Sequence, residues 1–357
     1  MNSIAPDDIV IGVDTHKNNH VAWACDGLGR RVGDVEIPAT NDGYAALLAW
    51  AIALGPIAAF GVEGTGSYGV GLARFLRRHG RKVIEVSRPA RAGQRRLSGK
   101  SDVIDAEHAA RQVLAGTATA VPKLADGQVE AIRLLKVVRD TAVKAQKTAM
   151  ITLKATLVNA DDELRALLRP LTDHKLIVAC AALDATGAMS DPAVAMRHTL
   201  AAFARRWLDL HEEIKTHTRH LKALTQAAAP QMLEAFGVGF DTAAELLITA
   251  GDNTNRVRNE RAFAKLCGVC PIPAGSGRTN GRHRLNRGGN RQANAALYRT
   301  VIVRMHWHPE TIAYVERRTA EGLSKKEIIR CLKRYVAREL YALLPATSAE
   351  NHLALVA

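Results

Sequence analysis

Four acidic side chains sit where a fold could gather them. Asp14 ends a short apolar run (residues 9–14), Glu63 follows another (58–62), and Asp102 and Asp105 are three apart near the start of a helical segment, hence on one face. Carboxylates forced together repel unless cations neutralise them. Two Mg²⁺ ions, or Mn²⁺ in their place, would do so while polarising a phosphodiester and activating its attacker. Taken singly, Asp14 is equally a strand-end turn residue, and Asp102 and Asp105 are acids suited to a helix N-terminus. The expectation of a metal site rests on the four together, with Lys100 a cation beside them. The second candidate is Ser276, in Ala274-Gly275-Ser276-Gly277-Arg278, whose hydroxyl between two glycines has little steric cover, as a nucleophile at phosphorus needs. The same triplet is also what an ordinary flexible loop looks like. Arg278, Arg282, Arg284, Arg287 and Arg291 surround it and could hold phosphates.

The elements that must position these residues alternate at first. Strand patterns at 9–14, 20–25, 31–37, 58–62 and 82–86 are interleaved with helical ones at 43–54 and 70–79, and a Gly-rich turn (64–66) follows Glu63. After a basic stretch at 88–100, a helix begins behind Ser101 as N-cap and stops at Gly116. This is a mixed α/β domain. In an RNase H-like sheet the first and fourth strands are neighbours and a late helix packs across them, which would bring the four acids together. From about residue 127 the pattern is wholly helical, with Ile132, Leu135, Val138, Ala142, Ala145, Ala149 and Leu153 at three- and four-residue steps. A second run, Leu200 to Ala228 through Phe203, Trp207, Leu210, Ile214, His217, Leu221 and Leu224, is a heptad seam and predicts a coiled coil, within the chain or between chains. His217 reads as a register-setting polar residue. Gly237-Val238-Gly239 between helical stretches suggests a helix-hairpin-helix element facing phosphate. An amphipathic helix closes the pattern at 324–344. The fold class expected is therefore α/β plus all-α, divided as 1–125, 126–230, 231–305 and 306–357.

Charge sharpens this division. The chain of 357 residues carries a formal +14, but residues 1–255 account for only +2 and residues 256–304 for +10. A near-neutral body with one cationic segment reads as a body with a docking surface for a polyanion. With aromatics at 4%, that surface is expected to grip the nucleic-acid backbone rather than stack bases along its length. Five scattered cysteines suit a reducing compartment, and Cys267-Gly268-Val269-Cys270 has only half of a zinc-ribbon spacing. The first residues do not read as a signal peptide. The uncharged run 45–62 is broken by Gly55-Pro56, so it predicts a buried helix followed by a buried strand, with no membrane involvement.

With both sets of residues in hand, the chain resembles the DEDD transposases of the Piv / insertion-sequence one-ten family over nearly its whole length. The signatures are IGVDTHKNNH, VEGTGSYG and KSDVIDAEHAA, then CGVCPIPAGSGRTNGRHRLNRGGNRQANAALYR. Gly275 stands where many relatives carry a further serine. The resemblance implies that Asp14, Glu63, Asp102 and Asp105 form a RuvC-like metal site and that Ser276 is the nucleophile of a C-terminal transposase domain. It implies donor and target DNA as substrates, a structured bridge RNA as guide, and a dimer or tetramer whose active site combines domains of two subunits. A bacterial cytoplasmic, nucleoid-associated location follows from that likeness. Two other readings stay open: a metal-dependent nuclease resembling a Holliday-junction resolvase, with Ser276 only a loop residue, and a non-enzymatic basic scaffold.

Overall fold

The computed structural model describes residues 4–87, 101–275, 277, 283–286 and 288–345. They form two compact units, one comprising residues up to Gly127 with Ala250–Asn259, the other Gln128–Thr249 with 260–345.

The first unit is built on five strands: β1 (Ile9–Thr15), β2 (Asn19–Cys25), β3 (Arg31–Pro38), β4 (Ile57–Glu63) and β5 (Val83–Val86). Their order is β3-β2-β1-β4-β5, with β1–β2 and β2–β3 antiparallel and β1–β4 and β4–β5 parallel. This is the expected RNase H-like sheet. Helices α1 (Asn41–Leu54) and α2 (Val70–Arg78) join the core on one face, around Ile11, Leu47, Phe60 and Leu72. The apolar run does break at Gly55-Pro56 into α1 and β4, as its composition predicts. On the other face lies α3 (Asp102–Leu114), packing Ala106, Ala109, Ala110 and Val113 against Val10, Trp23 and Ile84. Its approach is unusually close. A Cβ at Gly12 would lie 2.0 Å from the Ala106 carbonyl oxygen and 2.3 Å from the Ala110 nitrogen. Gly12 pairs with Gly61 across β1 and β4, so two adjacent strands present no side chain where the small face of α3 settles. The segment Ala250–Asn259 also belongs to this unit. Asn253 accepts from the Leu124 amide and donates to the Pro122 carbonyl, both at 3.1 Å, and Arg256 donates to the Val121 carbonyl at 2.8 Å.

The second unit is helical apart from one short hairpin. Helix α4 (Gln128–Leu157) and α7 (Pro192–Ala228) run antiparallel, with Gln128 reaching the Leu224 carbonyl, Arg139 the Thr218 hydroxyl and Gln146 the Trp207 carbonyl. At ~1.5 Å per residue, the 37 residues of α7 extend about 55 Å. Asp191 caps it and Pro192 occupies its first turn. The heptad seam of α7 falls as predicted, every position from Leu200 to Ala228 being buried or half-buried. The seam of α4 does not. Val138 and Ala145 face solvent, while Lys136, Arg139 and Gln146 turn inward because each finds a polar partner. Between α4 and α7, α5 (Asp162–Leu168) and α6 (Asp173–Ala181) close a core with Leu153, Ile177 and Leu200.

The remainder of this unit comprises α8 (Pro230–Glu234), α9 (Phe240–Ala250), α10 (Glu260–Leu266), the hairpin β6 (Pro271–Pro273) with β7 (His283–Leu285), α11 (Arg291–Trp307), α12 (Pro309–Ala320) and α13 (Lys325–Ala342). Helix α9 is buried almost throughout, and its two acids meet α4. Lys136 donates to Asp241 at 2.8 Å and Asp140 at 2.9 Å and lies 3.8 Å from Glu245. Burial opposes the ammonium charge, yet these carboxylates outweigh it and raise the Lys136 pKa, while burial pushes Glu245 up. Lys136→Met is therefore expected to cost about 3 kcal/mol, because the remaining acids lose their buried cation. That figure is the low end for such a loss, since Arg139 and Arg299 still reach Asp241. Urea unfolding at neutral pH measures it, and an unchanged midpoint would show the cluster contributes nothing. Among the described residues, no helix is long and apolar enough to cross a membrane.

Candidate functional site

The acids of the first unit are delivered by three elements. Strand β1 is buried along its length and carries Asp14 to its C-terminal end. The neighbouring parallel strand β4 ends in Glu63, one residue beyond the Val13–Val62 pair, so the two acids leave adjacent strands at the same level. The Thr15 hydroxyl donates to the Glu63 carbonyl at 3.0 Å, tying the two strand ends. Gly64 then takes φ +60°, which favours glycine, and its carbonyl accepts the amides of Ser67 and Gly69. Helix α3 starts behind Ser101 and carries Asp102 and Asp105 in its first turn, where the helix dipole favours negative charge.

Asp14 and Asp102 approach the same place, with His16 between them. The His16 Nδ1 lies 3.8 Å from Asp14 Oδ2, and its Nε2 lies 3.9 Å from Asp102 Oδ1. One ligand atom from each of these three residues lies within 4.8 Å of the others. Burial raises the Asp14 pKa; His16 opposes that shift, whereas the nearby charges of Asp105 and Asp102 add to it. Asp105 thus belongs to the same electrostatic neighbourhood. Glu63 is buried at the adjacent strand end. Two carboxylate oxygens and an imidazole nitrogen at this spacing fit a divalent cation, which would offset the burial and the repulsion that together hold the Asp14 pKa up.

His16 carries no role in the sequence reading. Its signal was there: it lies two residues after Asp14 at a strand end, hence on the same face by the period of two. His20, in the same motif, is different. It is fully buried, stacks on Tyr44 with ring centroids 5.7 Å apart, and burial lowers its pKa. His108, on α3, bonds with Gln112 at 2.7 Å.

The second candidate region is only partly described. Ser276, Arg278, Arg282 and Arg287, like Lys100 of the first unit, lie outside the described residues. Around them, β6 and β7 pair in register from Pro271–Leu285 to Pro273–His283, so the serine segment connects two paired strands. Arg284 is exposed on β7 and Arg291 is exposed at the start of α11. The base of this hairpin is fixed by polar contacts. The Asn286 amide donates to the Cys270 carbonyl at 2.9 Å, and Asn294 donates to the carbonyls of Cys267 and Gly268. Asn290 caps α11 by accepting the amides of Gln292 and Ala293. The cationic segment also forms ion pairs within the chain. Arg256 bonds Glu85, Arg299 bonds Asp241, and Arg304 makes a two-pronged pair with Glu339 at 2.6 and 2.7 Å.

Comparison with known proteins finds matches in both units. A family model described as a transposase, the DEDD transposase of IS110, matches residues 11–162, and a second, described as the transposase IS116/IS110/IS902 family, matches residues 229–316. The chain belongs to the IS110 family of transposases. It is 30% identical over 137 residues to the uncharacterized 43.6 kDa protein of insertion element IS110 from Streptomyces coelicolor, covering 38% of this chain and 34% of that protein. It is 27% identical over 108 residues to the uncharacterized 42 kDa protein of insertion element IS900 from Mycobacterium paratuberculosis, covering 30% of this chain and 27% of that protein. The aligned part thus spans about a third or less of each relative's length. In this IS110-family chain the first match contains Asp14, His16, Glu63, Asp102 and Asp105, and the second contains the hairpin and its arginines. A divalent metal suits the family's DEDD domain as it suits the donor set at β1 and α3.

Proposed function

We propose that this IS110-family chain is the DNA recombinase of a mobile element, using a metal-bound acidic site and a serine nucleophile to cut and exchange strands. The observation that carries the reading is the meeting of Asp14, His16 and Asp102 at the end of β1, in a sheet of RNase H-like order. Asp14, Glu63, Asp102 and Asp105 would hold Mg²⁺, with Mn²⁺ as a substitute and His16 as a further donor. When bound, such ions polarise a phosphodiester and stabilise the charge that develops on it. The Ser276 hydroxyl attacks a DNA phosphorus and the P–O3′ bond breaks. The serine proton passes to solvent or base, the phosphate becomes covalently linked to serine, and the strand leaves with a free 3′-hydroxyl. Arg278, Arg282, Arg284, Arg287 and Arg291, with Lys100, steady the flanking phosphates. The motif likeness further supports a structured bridge RNA as guide, donor and target DNA as substrates, and work in the cytoplasm at the nucleoid.

Trapping tests the serine step. Incubation with element-end DNA and Mg²⁺, followed by denaturation, is expected to leave a protein–DNA adduct that disappears completely in Ser276→Ala. Normal strand exchange by that variant would reject the serine nucleophile and favour the resolvase-like nuclease.

An assembly of several protomers is part of the proposal, and α4 supplies its support. Leu134, Val137, Thr141, Lys144, Thr148, Ile151 and Ala155 alternate by three and four on its outer side, with Val137 54% and Ile151 58% exposed and Lys144 the one charged member. Such a seam suits a second copy of α4. The paired change Val137→Glu with Ile151→Glu is expected to shift light-scattering mass to that of a monomer and to remove any dependence of Tm on protein concentration. An unchanged oligomeric mass would place the interface elsewhere.

A further inference from the structure

We propose that a cavity among α11, α12 and α13 captures an unstacked nucleobase, preferentially guanine. It has a volume of about 390 Å³, on the scale of a small-ligand pocket, with Val301, Leu332 and Val336 among its apolar lining. Aromatic side chains are scarce in this sequence, yet Phe236, Tyr314 and Tyr335 converge on this one cavity with His308. Phe236 is 44% exposed and leans on His308 with centroids 5.1 Å apart; Tyr335 is 48% exposed and meets Tyr314 edge-on at 5.8 Å. Half-exposed rings beside an apolar recess offer π-faces to a flat heterocycle.

The polar groups decide what kind of heterocycle. Arg304 is no anion site, since Glu339 takes two of its N–H groups and the Phe236 carbonyl takes a third at 2.8 Å. A phosphate would have to displace a carboxylate already in place. Glu310, at the start of α12, also lines the cavity and makes no hydrogen bond or ion pair among the described residues. A carboxylate only accepts, and the adjacent N1–H and N2–H₂ of guanine present two parallel donors to it, while the O6 acceptor on the same edge is left to solvent beside the exposed Glu310. The Arg317 guanidinium lies over Tyr314 at 5.4 Å, and its side chain is exposed with Glu321 only at 3.9 Å, so its remaining N–H groups are open to the charge of a flanking backbone.

Nucleic acid as the source of the base rests on the function proposed above, so the experiment separates the two. Full-length protein is titrated by fluorescence anisotropy with short single strands of pyrimidine sequence carrying one central guanine, one inosine, or neither, each as RNA and as DNA. The guanine is expected to tighten Kd about tenfold over the pyrimidine strand, the scale on which one bidentate contact discriminates between bases. Inosine, lacking the N2 amine, loses most of that gain. Phe236→Ala and Tyr335→Ala are expected to remove the gain while leaving affinity for the pyrimidine strand and its salt dependence unchanged, and Tyr335→Phe to retain it. Glu310→Gln should abolish the distinction between guanine and inosine. A gain confined to RNA identifies a guide strand as the source, and one confined to DNA identifies the substrate. Strands that bind with equal Kd whatever the base overturn the pocket and leave the recombinase reading standing, as does a guanine gain that survives Phe236→Ala with Tyr335→Ala. Strands that do not bind at all overturn the pocket, and the Ser276 adduct then decides the recombinase reading by itself.

Discussion

Asp14→Asn is expected to lower metal-dependent strand cleavage by at least about 10³-fold, because the loss of several kcal/mol of transition-state charge stabilisation converts to that factor. Asp14 is the more buried of the two acids in the Asp14–His16–Asp102 group, and the charge of Asp105 repels it as well. Removing its carboxylate removes a ligand that no neighbour can replace, since β1 is buried along its length and cannot shift. The same argument gives the opposite sign for the metal-free fold. Burial together with the neighbouring acids raises the Asp14 pKa, so its charged form is disfavoured by folding. The neutral amide is therefore expected to hold or raise Tm without metal, and to lose the Tm increase that Mg²⁺ or Mn²⁺ gives the natural protein. Cleavage on labelled DNA and thermal melts with and without metal read both effects. Full cleavage by Asp14→Asn would show that this group is not the metal centre.

Gly12→Ala is expected to destabilise the first unit by more than about 3 kcal/mol, above the usual cost of overpacking a core by one methyl group. The reason is what the methyl meets. Its neighbours at 2.0 and 2.3 Å are backbone atoms of α3, which cannot rotate away as a side chain would. Relief requires moving the helix, and the helix carries Asp102 and Asp105. The variant is thus expected to lose metal-induced stabilisation as well as Tm. Gly33→Ala is the matched control: it also lies in a strand of this sheet, but its added methyl would meet only the Trp50 ring at 3.6 Å, an ordinary contact. Melting curves of the two variants decide the matter. Equal Tm values for Gly12→Ala and the natural protein would mean that α3 does not dock as described.

Much of this was legible from local pattern. Strands and helices of the first unit follow from short apolar runs with turn residues between them, and the resulting strand order puts Asp14 beside Glu63. The seam of α7 follows from heptad spacing because its residues from Leu200 to Ala228 are apolar except His217. The seam of α4 was not legible, and the reason is chemical. Lys136, Arg139 and Gln146 read as solvent residues by type, and become interior ones only when Asp241, Thr218 and the Trp207 carbonyl arrive from distant parts of the chain. Arg256, Arg299 and Arg304 make the same point within the cationic segment, where counting charges does not distinguish a phosphate grip from an internal ion pair.

The sequence by itself determined the kind of chemistry, since acid type, strand-end position and motif order are local properties that survive without coordinates. Only the tertiary structure decided that His16 stands between two of the acids, that Gly12 admits the helix carrying two of them, and that scattered aromatic residues line one cavity. Those facts depend on distances between segments far apart in the chain, and such distances are fixed by the packing of whole elements rather than by any neighbour in sequence.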